Sequence, residues 1–184
     1  MAIIPDDKNW TWVLERPCAD CGLDPSTLDA RTVGSMLRAN AAEWTDLLAH
    51  PDAQLRPSGD QWSALEYGCH VRDVFRLFDE RLRLMLTEDG PRFANWDQDE
   101  TALADRYDQQ DPVGVAADLV AAAAVLADRF DGVTDDQWPR TGFRSDGAAF
   151  TVDSFARYFI HDPVHHVDDV LRGNEILAAG SLDT

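Results

Sequence analysis

The sequence has almost no lysine. Of its 16 basic residues Lys8 is the only lysine and the rest are arginines, against 34 acidic residues and a net charge of −18. So acidic a surface repels phosphate backbones and anionic lipid headgroups. We therefore expect neither a nucleic-acid partner nor a membrane partner, and a small-molecule substrate becomes the more natural alternative.

Long apolar runs and a disulfide framework are also missing. The longest apolar run, residues 119–127, is far too short to span a bilayer. The first ten residues, MAIIPDDKNW, lack the charged-then-apolar pattern of a secretion signal. Three cysteines, an odd number, fit reduced thiols better than paired ones. These features predict a cytoplasmic protein.

What the chain does contain is helical periodicity. Its 184 residues suit one domain with a core of its own, and strand-like alternation is scarce. Four amphipathic segments of this length predict an all-α four-helix bundle over residues 24–184, with residues 1–23 as an extension packed on it. The predicted helices cover residues 24–50, 63–88, 111–132 and from about 151 to 172–174.

The second and third predicted helices have clear start signals. Ser63 and Glu66 are spaced as a capping box, with Trp62 and Tyr67 placed to form the accompanying hydrophobic staple. Asp111 followed by proline predicts the start of the third helix, and a glycine at 132 its end. Residues 93–110 should contain a short acidic helix, and residues 133–149 form a loop too long to be a simple turn.

Histidines provide the main functional signal. His161 and His165 are four residues apart, which places two side chains on one helix face, and His70 should point inward from the second helix. Three inward histidines could hold one divalent ion and leave coordination positions open, as in catalytic zinc sites. Pro163 leaves two alternatives: a kinked continuous helix, or a new helix starting there, with His161 outside it. The two histidines could also lie on a solvated polar face.

Two motifs carry a family resemblance. WSALEYGCHVRD (62–73) and HDPVHH (161–166), in this order and about ninety residues apart, resemble the W-S-x-x-E-x-x-x-H-x-x-D and H-x-x-x-H motifs of the DinB/YfiT-like superfamily, here of an actinobacterial branch. The resemblance covers roughly residues 25–175. It implies an up-down-down-up bundle with a divalent metal, zinc or nickel, held by His70, His161 and His165.

The resemblance also implies a function. Family members of known activity use a thiol such as mycothiol in isomerase or S-transferase reactions, and others have no assigned reaction. We therefore expect a metal-dependent thiol transferase or isomerase acting on a small electrophile. A metal-bound water or thiolate would then be the reactive group, with Asp73 or Asp162 orienting a histidine ring. The alternative is a non-catalytic metal- or ligand-binding stress-response bundle, and a homodimer remains open in either case.

Other candidate residues have simpler explanations beside the functional ones. Arg140 and Arg144, before the last helix, could clamp a carboxylate on the substrate or pair with nearby aspartates. Cys18 and Cys21 have the spacing of half a zinc knuckle, but no second such pair exists, so two ordinary thiols are the favoured interpretation. A partial site borrowing Cys69 or His50, and a redox pair, stay open. Glu66 is explained by its capping role, and His166 is expected either to pack or to support a ligand from behind.

Overall fold

The structure, a computed structural model, describes residues 10–180. Four long α-helices and one short helix account for most of this part of the chain, and a single antiparallel hairpin precedes the last helix. The bounds are α1 Val33–Leu48, α2 Ala64–Thr87, α3 Gln98–Ala104, α4 Pro112–Asp131, α5 Val152–Gly180, β1 Thr141–Phe143 and β2 Ala149–Thr151. The predicted all-α four-helix bundle is confirmed.

Helix α2 begins where the sequence predicts it. The Ser63 hydroxyl accepts from the Glu66 amide, and the Glu66 carboxylate accepts from the Ser63 amide at 2.9 Å, so the capping box is complete. The rings of Trp62 and Tyr67 meet edge-on at 5.5 Å as the expected staple. This rigid start matters because it fixes the first turns of α2, which carry His70.

Helix α1 begins later than predicted. Residues 24–29 form turns, because Asp24 accepts from the Ser26 amide at 3.1 Å and Asp29 from the Arg31 amide at 3.0 Å. Such side-chain bonds to nearby backbone compete with helix formation. After a short 3-10 helix at Ala30–Thr32, α1 starts at Val33.

Helix α5 is continuous through Pro163 and extends to Gly180, so the expected end at residues 172–174 was wrong. Gly173 lies inside this helix, and its lack of a side chain leaves room for Pro57. An added Cβ at Gly173 would lie 3.2 Å from Cγ of Pro57. Asn40 of α1 donates to the Pro163 carbonyl at 3.0 Å, which ties the proline turn to the neighbouring helix. The helix-restart alternative is therefore excluded, and the i, i+4 relation of His161 and His165 holds.

The four long helices surround one core. Helices α1 and α2 each pack mainly against α4 and α5 rather than against each other. Rings fill the centre: Phe159 of α5 lies 4.9 Å from Phe78, 5.9 Å from Phe75 and 5.8 Å from Phe130 between centroids. The up-down-down-up order of helix directions stays a prediction.

Two other segments position the site. The hairpin packs on the end of α2, where Arg140 donates to the carbonyls of Met85 at 2.6 Å and Glu88 at 2.7 Å. A 3-10 helix, Trp10–Leu14, lies against α5; residues 1–9 of the predicted extension are outside the described residues. Among residues 10–180, no helix combines the length and apolar character needed to cross a bilayer.

Candidate metal centre

A pocket of about 800 Å³ opens between α2, α5 and the segments that pack over them. This volume lies in the range of small-molecule sites. Its walls combine aromatic rings with carboxylates and three arginines. The lining residues that matter below are Trp10, Trp62, His70, Arg81, Trp96, Arg144, Tyr158, His161, Asp162, His165, His166, Asp169 and Arg172.

His70, Asp162 and His166 form one group of potential ligands at this pocket, which we call the histidine–aspartate cluster. One ligand atom from each lies within 4.8 Å of the others. The Asp162 carboxylate is 3.7 Å from Nε2 of His70 and 3.8 Å from Nε2 of His166. Asp162 and His166 are four residues apart on α5 and so present one face to α2.

The His70 ring is buried yet has no hydrogen-bond partner. Its side chain is 1% exposed, and neither Nδ1 nor Nε2 makes a hydrogen bond. Trp96 stacks on the ring at 5.5 Å, and Trp62 approaches at the same distance. Leaving buried polar atoms unsatisfied is costly, and Oδ1 of Asp162 is in the same condition. These orphaned atoms fit residues whose partner is a metal ion.

Charge and orientation also suit a cation. Burial would raise the pKa of Asp162, but the surrounding histidines lower it to about 2, so the carboxylate is ionised. Nδ1 of His166 lies 2.9 Å from the Asp169 carboxylate, which leaves Nε2 to face the cluster. A carboxylate behind a histidine ligand fixes its tautomer and ring orientation.

A second group lies on the next face of α5. Cys18, Cys21, His161 and His165 each place one ligand atom within 4.8 Å of the others; we call them the cysteine–histidine cluster. Sγ of Cys18 is 3.6 Å from Nδ1 of His165, and the two histidine rings are 5.1 Å apart. Burial and the adjacent His165 lower the pKa of His161 to about 4, and burial lowers that of His165. Both rings are therefore neutral at pH 7.

The three predicted metal ligands are divided between these clusters. His161 and His165 come together as their spacing predicts, but beside the cysteines, while His70 faces Asp162 and His166. Asp162, expected to orient a ring from behind, lies in the histidine–aspartate cluster itself. Asp73 is not part of the pocket lining and accepts from the Tyr107 hydroxyl at 2.6 Å.

The two predicted substrate-binding arginines also separate. Arg144 lines the pocket, where it pairs with Asp146 and donates to the Tyr158 hydroxyl at 3.0 Å. Arg140 does not line it, since its guanidinium binds the carbonyls at the end of α2. Glu66 is held by its capping bonds and by Arg56, so its oxygens are occupied.

Sequence reasoning missed two pocket residues. His166 is expected from the sequence to pack or to support a ligand from behind, although its i, i+4 spacing from Asp162 is the same signal that singles out His161 and His165. The sequence around Arg81 contains no motif that would indicate a functional role. In the structure, no carboxylate within residues 10–180 lies within salt-bridge distance of Arg81, and its NH2 group donates to the Ala94 carbonyl at 3.2 Å. Burial lowers its pKa to about 10, so it remains a cation at neutral pH.

Comparison with known proteins places the chain in a family. The DinB superfamily profile matches residues 34–170, and the chain belongs to that superfamily. Among solved structures it is similar to YfiT from Bacillus subtilis, described as "a probable metal-dependent hydrolase with an unusual four-helix bundle topology", with a TM-score of 0.66. That match has 17% identity and covers 95% of this chain and 93% of the other, so it shows a shared fold. No curated protein matches the sequence.

Proposed function

We propose that this protein is a divalent-metal-dependent enzyme that joins a small thiol, such as mycothiol, to a small electrophile, or uses the thiol to isomerise it. The observation that carries the proposal is the histidine–aspartate cluster at a large pocket, in which both ring nitrogens of His70 are buried without a hydrogen bond. Its ligands would be His70, Asp162 and His166. This set shares only His70 with the one predicted from the sequence.

The donor set suits zinc or nickel. Two neutral imidazoles and one carboxylate are the protein ligands of several catalytic zinc sites, which leave a fourth position for water or substrate. A divalent ion held there would supply Lewis acidity, lowering the pKa of a bound water or thiol toward neutrality. Because one carboxylate neutralises only part of the ion's charge, the site would still favour an anionic thiolate.

The surrounding residues would hold these ligands and control access to them. Asp169 fixes the ring of His166 through the 2.9 Å contact at Nδ1. Trp62 and Trp96 enclose His70 and keep water from its two ring nitrogens. Excluding water strengthens electrostatic interactions within the site.

An anionic group on the substrate or thiol would bind at Arg81. This guanidinium lines the pocket, remains charged, and has no carboxylate partner among the described residues, so it is available to an incoming anion. Arg144, which also lines the pocket, would assist, although it must share its charge with Asp146. In a protein of net charge −18, a pocket arginine without a carboxylate partner among residues 10–180 is a specific feature rather than a background one.

Hydrolysis is a second candidate reaction. Two histidines and a carboxylate also hold the metal in zinc hydrolases. The similar structure from Bacillus subtilis is described as a probable metal-dependent hydrolase. A bundle that binds metal without turnover is the non-catalytic alternative. The three differ in what they require: thiol transfer consumes a thiol and the isomerisation needs one without consuming it, hydrolysis needs only water, and the binding protein converts nothing.

The test combines metal analysis with activity. Purified protein, reconstituted with zinc or with nickel, is assayed against a panel of electrophiles with and without mycothiol, and against ester and amide substrates without it. His70→Ala and His166→Ala should lose pocket metal and all turnover, while His50→Ala, at an exposed loop histidine, should retain both. Thiol-independent turnover would favour hydrolysis, and metal without turnover would favour a binding role. If His70→Ala keeps its full metal content and activity, the proposal is wrong.

A further inference from the structure

The cysteine–histidine cluster lies outside the proposed reaction, and it offers four ligand residues rather than three. Cys18 and Cys21 come from the turn that follows the N-terminal 3-10 helix, and His161 and His165 from α5. We propose that these four residues bind a structural zinc ion, which fastens residues 10–23 to α5. This ion would be separate from any metal held by the histidine–aspartate cluster.

The ligand set matches zinc chemistry. Cys₂His₂ is among the common structural zinc sets, and it completes a tetrahedron with no position left for substrate. With Zn–S near 2.3 Å and Zn–N near 2.0–2.1 Å, a tetrahedral ion holds its sulfur and nitrogen ligands roughly 3.6 Å apart. The separation between Sγ of Cys18 and Nδ1 of His165 is 3.6 Å.

The backbone around the cysteines is shaped as a tight turn. The Gly22 amide donates to the Cys18 carbonyl at 2.9 Å, and the Cys18 amide donates to the Leu23 carbonyl at 2.8 Å. Gly22 has a φ of +74°, a left-handed conformation that favours glycine. This turn brings two thiols three residues apart to the same point above α5.

Burial supplies an independent argument. Cys18 is 1% exposed, His161 4% and His165 8%, and Nε2 of His161 is buried without a hydrogen-bond partner. Trp10 covers both histidines, with its ring 5.3 Å from His161 and 5.1 Å from His165. An enclosed imidazole nitrogen without a hydrogen-bond partner, beside two thiols, fits the role of a metal ligand.

A carboxylate lies near the far side of one ligand. With Nδ1 of His165 directed at Cys18, its Nε2 lies 3.7 Å from the Asp169 carboxylate. This separation is longer than a hydrogen bond, so Asp169 acts on the His165 ring through its charge. The short contact of Asp169, 2.9 Å, is with Nδ1 of His166 in the other cluster.

Zinc binding needs no oxidant or reductant. On binding, each thiol releases one proton to solvent and each sulfur donates an electron pair to the ion. Two thiolates then balance the charge of Zn²⁺, which suits an enclosed site.

Cobalt is a direct probe of this site, because tetrahedral Co²⁺ bound to thiolate gives a sulfur-to-metal charge-transfer absorption that Co²⁺ bound to histidine and carboxylate lacks. Reduced, metal-stripped protein is titrated with Co²⁺ and then with Zn²⁺. Wild type should develop the charge-transfer band with one equivalent bound at this site, and Zn²⁺ should abolish it. The Cys18→Ala/Cys21→Ala variant should lose the band and one equivalent of metal, whereas Cys69→Ala, at the remaining thiol, should keep both.

The two metal proposals can fail separately. His70→Ala should retain the charge-transfer band even if it loses the pocket metal, and the double cysteine variant should retain the pocket metal. Absence of the band in the reduced wild-type protein would overturn the structural zinc, and this readout does not depend on any variant folding. A Cys18–Cys21 disulfide in zinc-free protein prepared without oxygen would overturn it as well, in favour of a redox pair.

Discussion

Replacing Asp169 by asparagine should weaken both metal clusters at once. Its carboxylate lies 2.9 Å from Nδ1 of His166 and 3.7 Å from Nε2 of His165. Asparagine has the same shape but no charge, and its amide can present a donor where the ring needs an acceptor. Loss of a carboxylate behind a histidine ligand typically lowers metal affinity about 10–100-fold, equivalent to about 1.4–2.7 kcal/mol. We expect that range at the histidine–aspartate cluster, and a smaller loss at the cysteine–histidine cluster, where the carboxylate is beyond hydrogen-bond distance of His165.

The neighbouring Asp168→Asn is the matched control. It removes the same charge one residue away, and Asp168 pairs with Arg172 at the pocket edge rather than with a histidine. Competition of bound Zn²⁺ against a chromophoric chelator would measure both affinities for wild type and the two variants. If Asp169→Asn and Asp168→Asn weaken zinc equally, the effect is one of general charge, and the orienting role assigned to Asp169 is refuted.

Three further outcomes follow from the structure. Burial opposes ionisation of Glu66, but hydrogen bonds from Arg56 and the cap lower its pKa in the folded protein. The ionised Glu66 should therefore stabilise the fold above its unfolded pKa of about 4.3, and this stabilisation should be lost as the pH falls below that value. Unfolding temperatures measured from pH 7 to 3 should fall more steeply for wild type than for Glu66→Gln. Gly142→Ala should destabilise by about 1–3 kcal/mol in urea unfolding, because its Cβ would lie 2.6 Å from Cζ of Phe93, while Gly180→Ala, with open space around it, should not. Arg81→Gln should weaken binding of an anionic ligand at least about 10-fold by calorimetry, and unchanged affinity would remove its assigned role.

Much of the fold could be predicted because its signals are local. The capping box at Ser63 and the proline after Asp111 depend on residues within one helical turn, and both helices start where these signals place them. The end of α5 could not be predicted in the same way. Gly173 resembles a helix stop in sequence, but its role is to let Pro57 approach the helix, and that contact exists only in the folded chain.

The candidate site shows the same division between local and long-range information. HDPVHH contains two i, i+4 pairs, His161 with His165 and Asp162 with His166, on adjacent faces of α5. Spacing identifies both pairs but cannot say which faces His70, because that depends on how α5 is rotated within the bundle. Likewise, the histidines that lie beside Cys18 and Cys21 are far along the chain, with His165 147 residues after Cys18. Only folding brings the two cysteines to α5.

The central claim is that the pocket metal is held by His70, Asp162 and His166. Crystals grown with zinc, with diffraction data collected above and below its absorption edge, would locate bound ions by anomalous scattering without reference to activity. We predict one peak within bonding distance of those three side chains and a second among Cys18, Cys21, His161 and His165. A single pocket peak bonded to His161 and His165 and not to Asp162, or no peak near His70, would contradict the account.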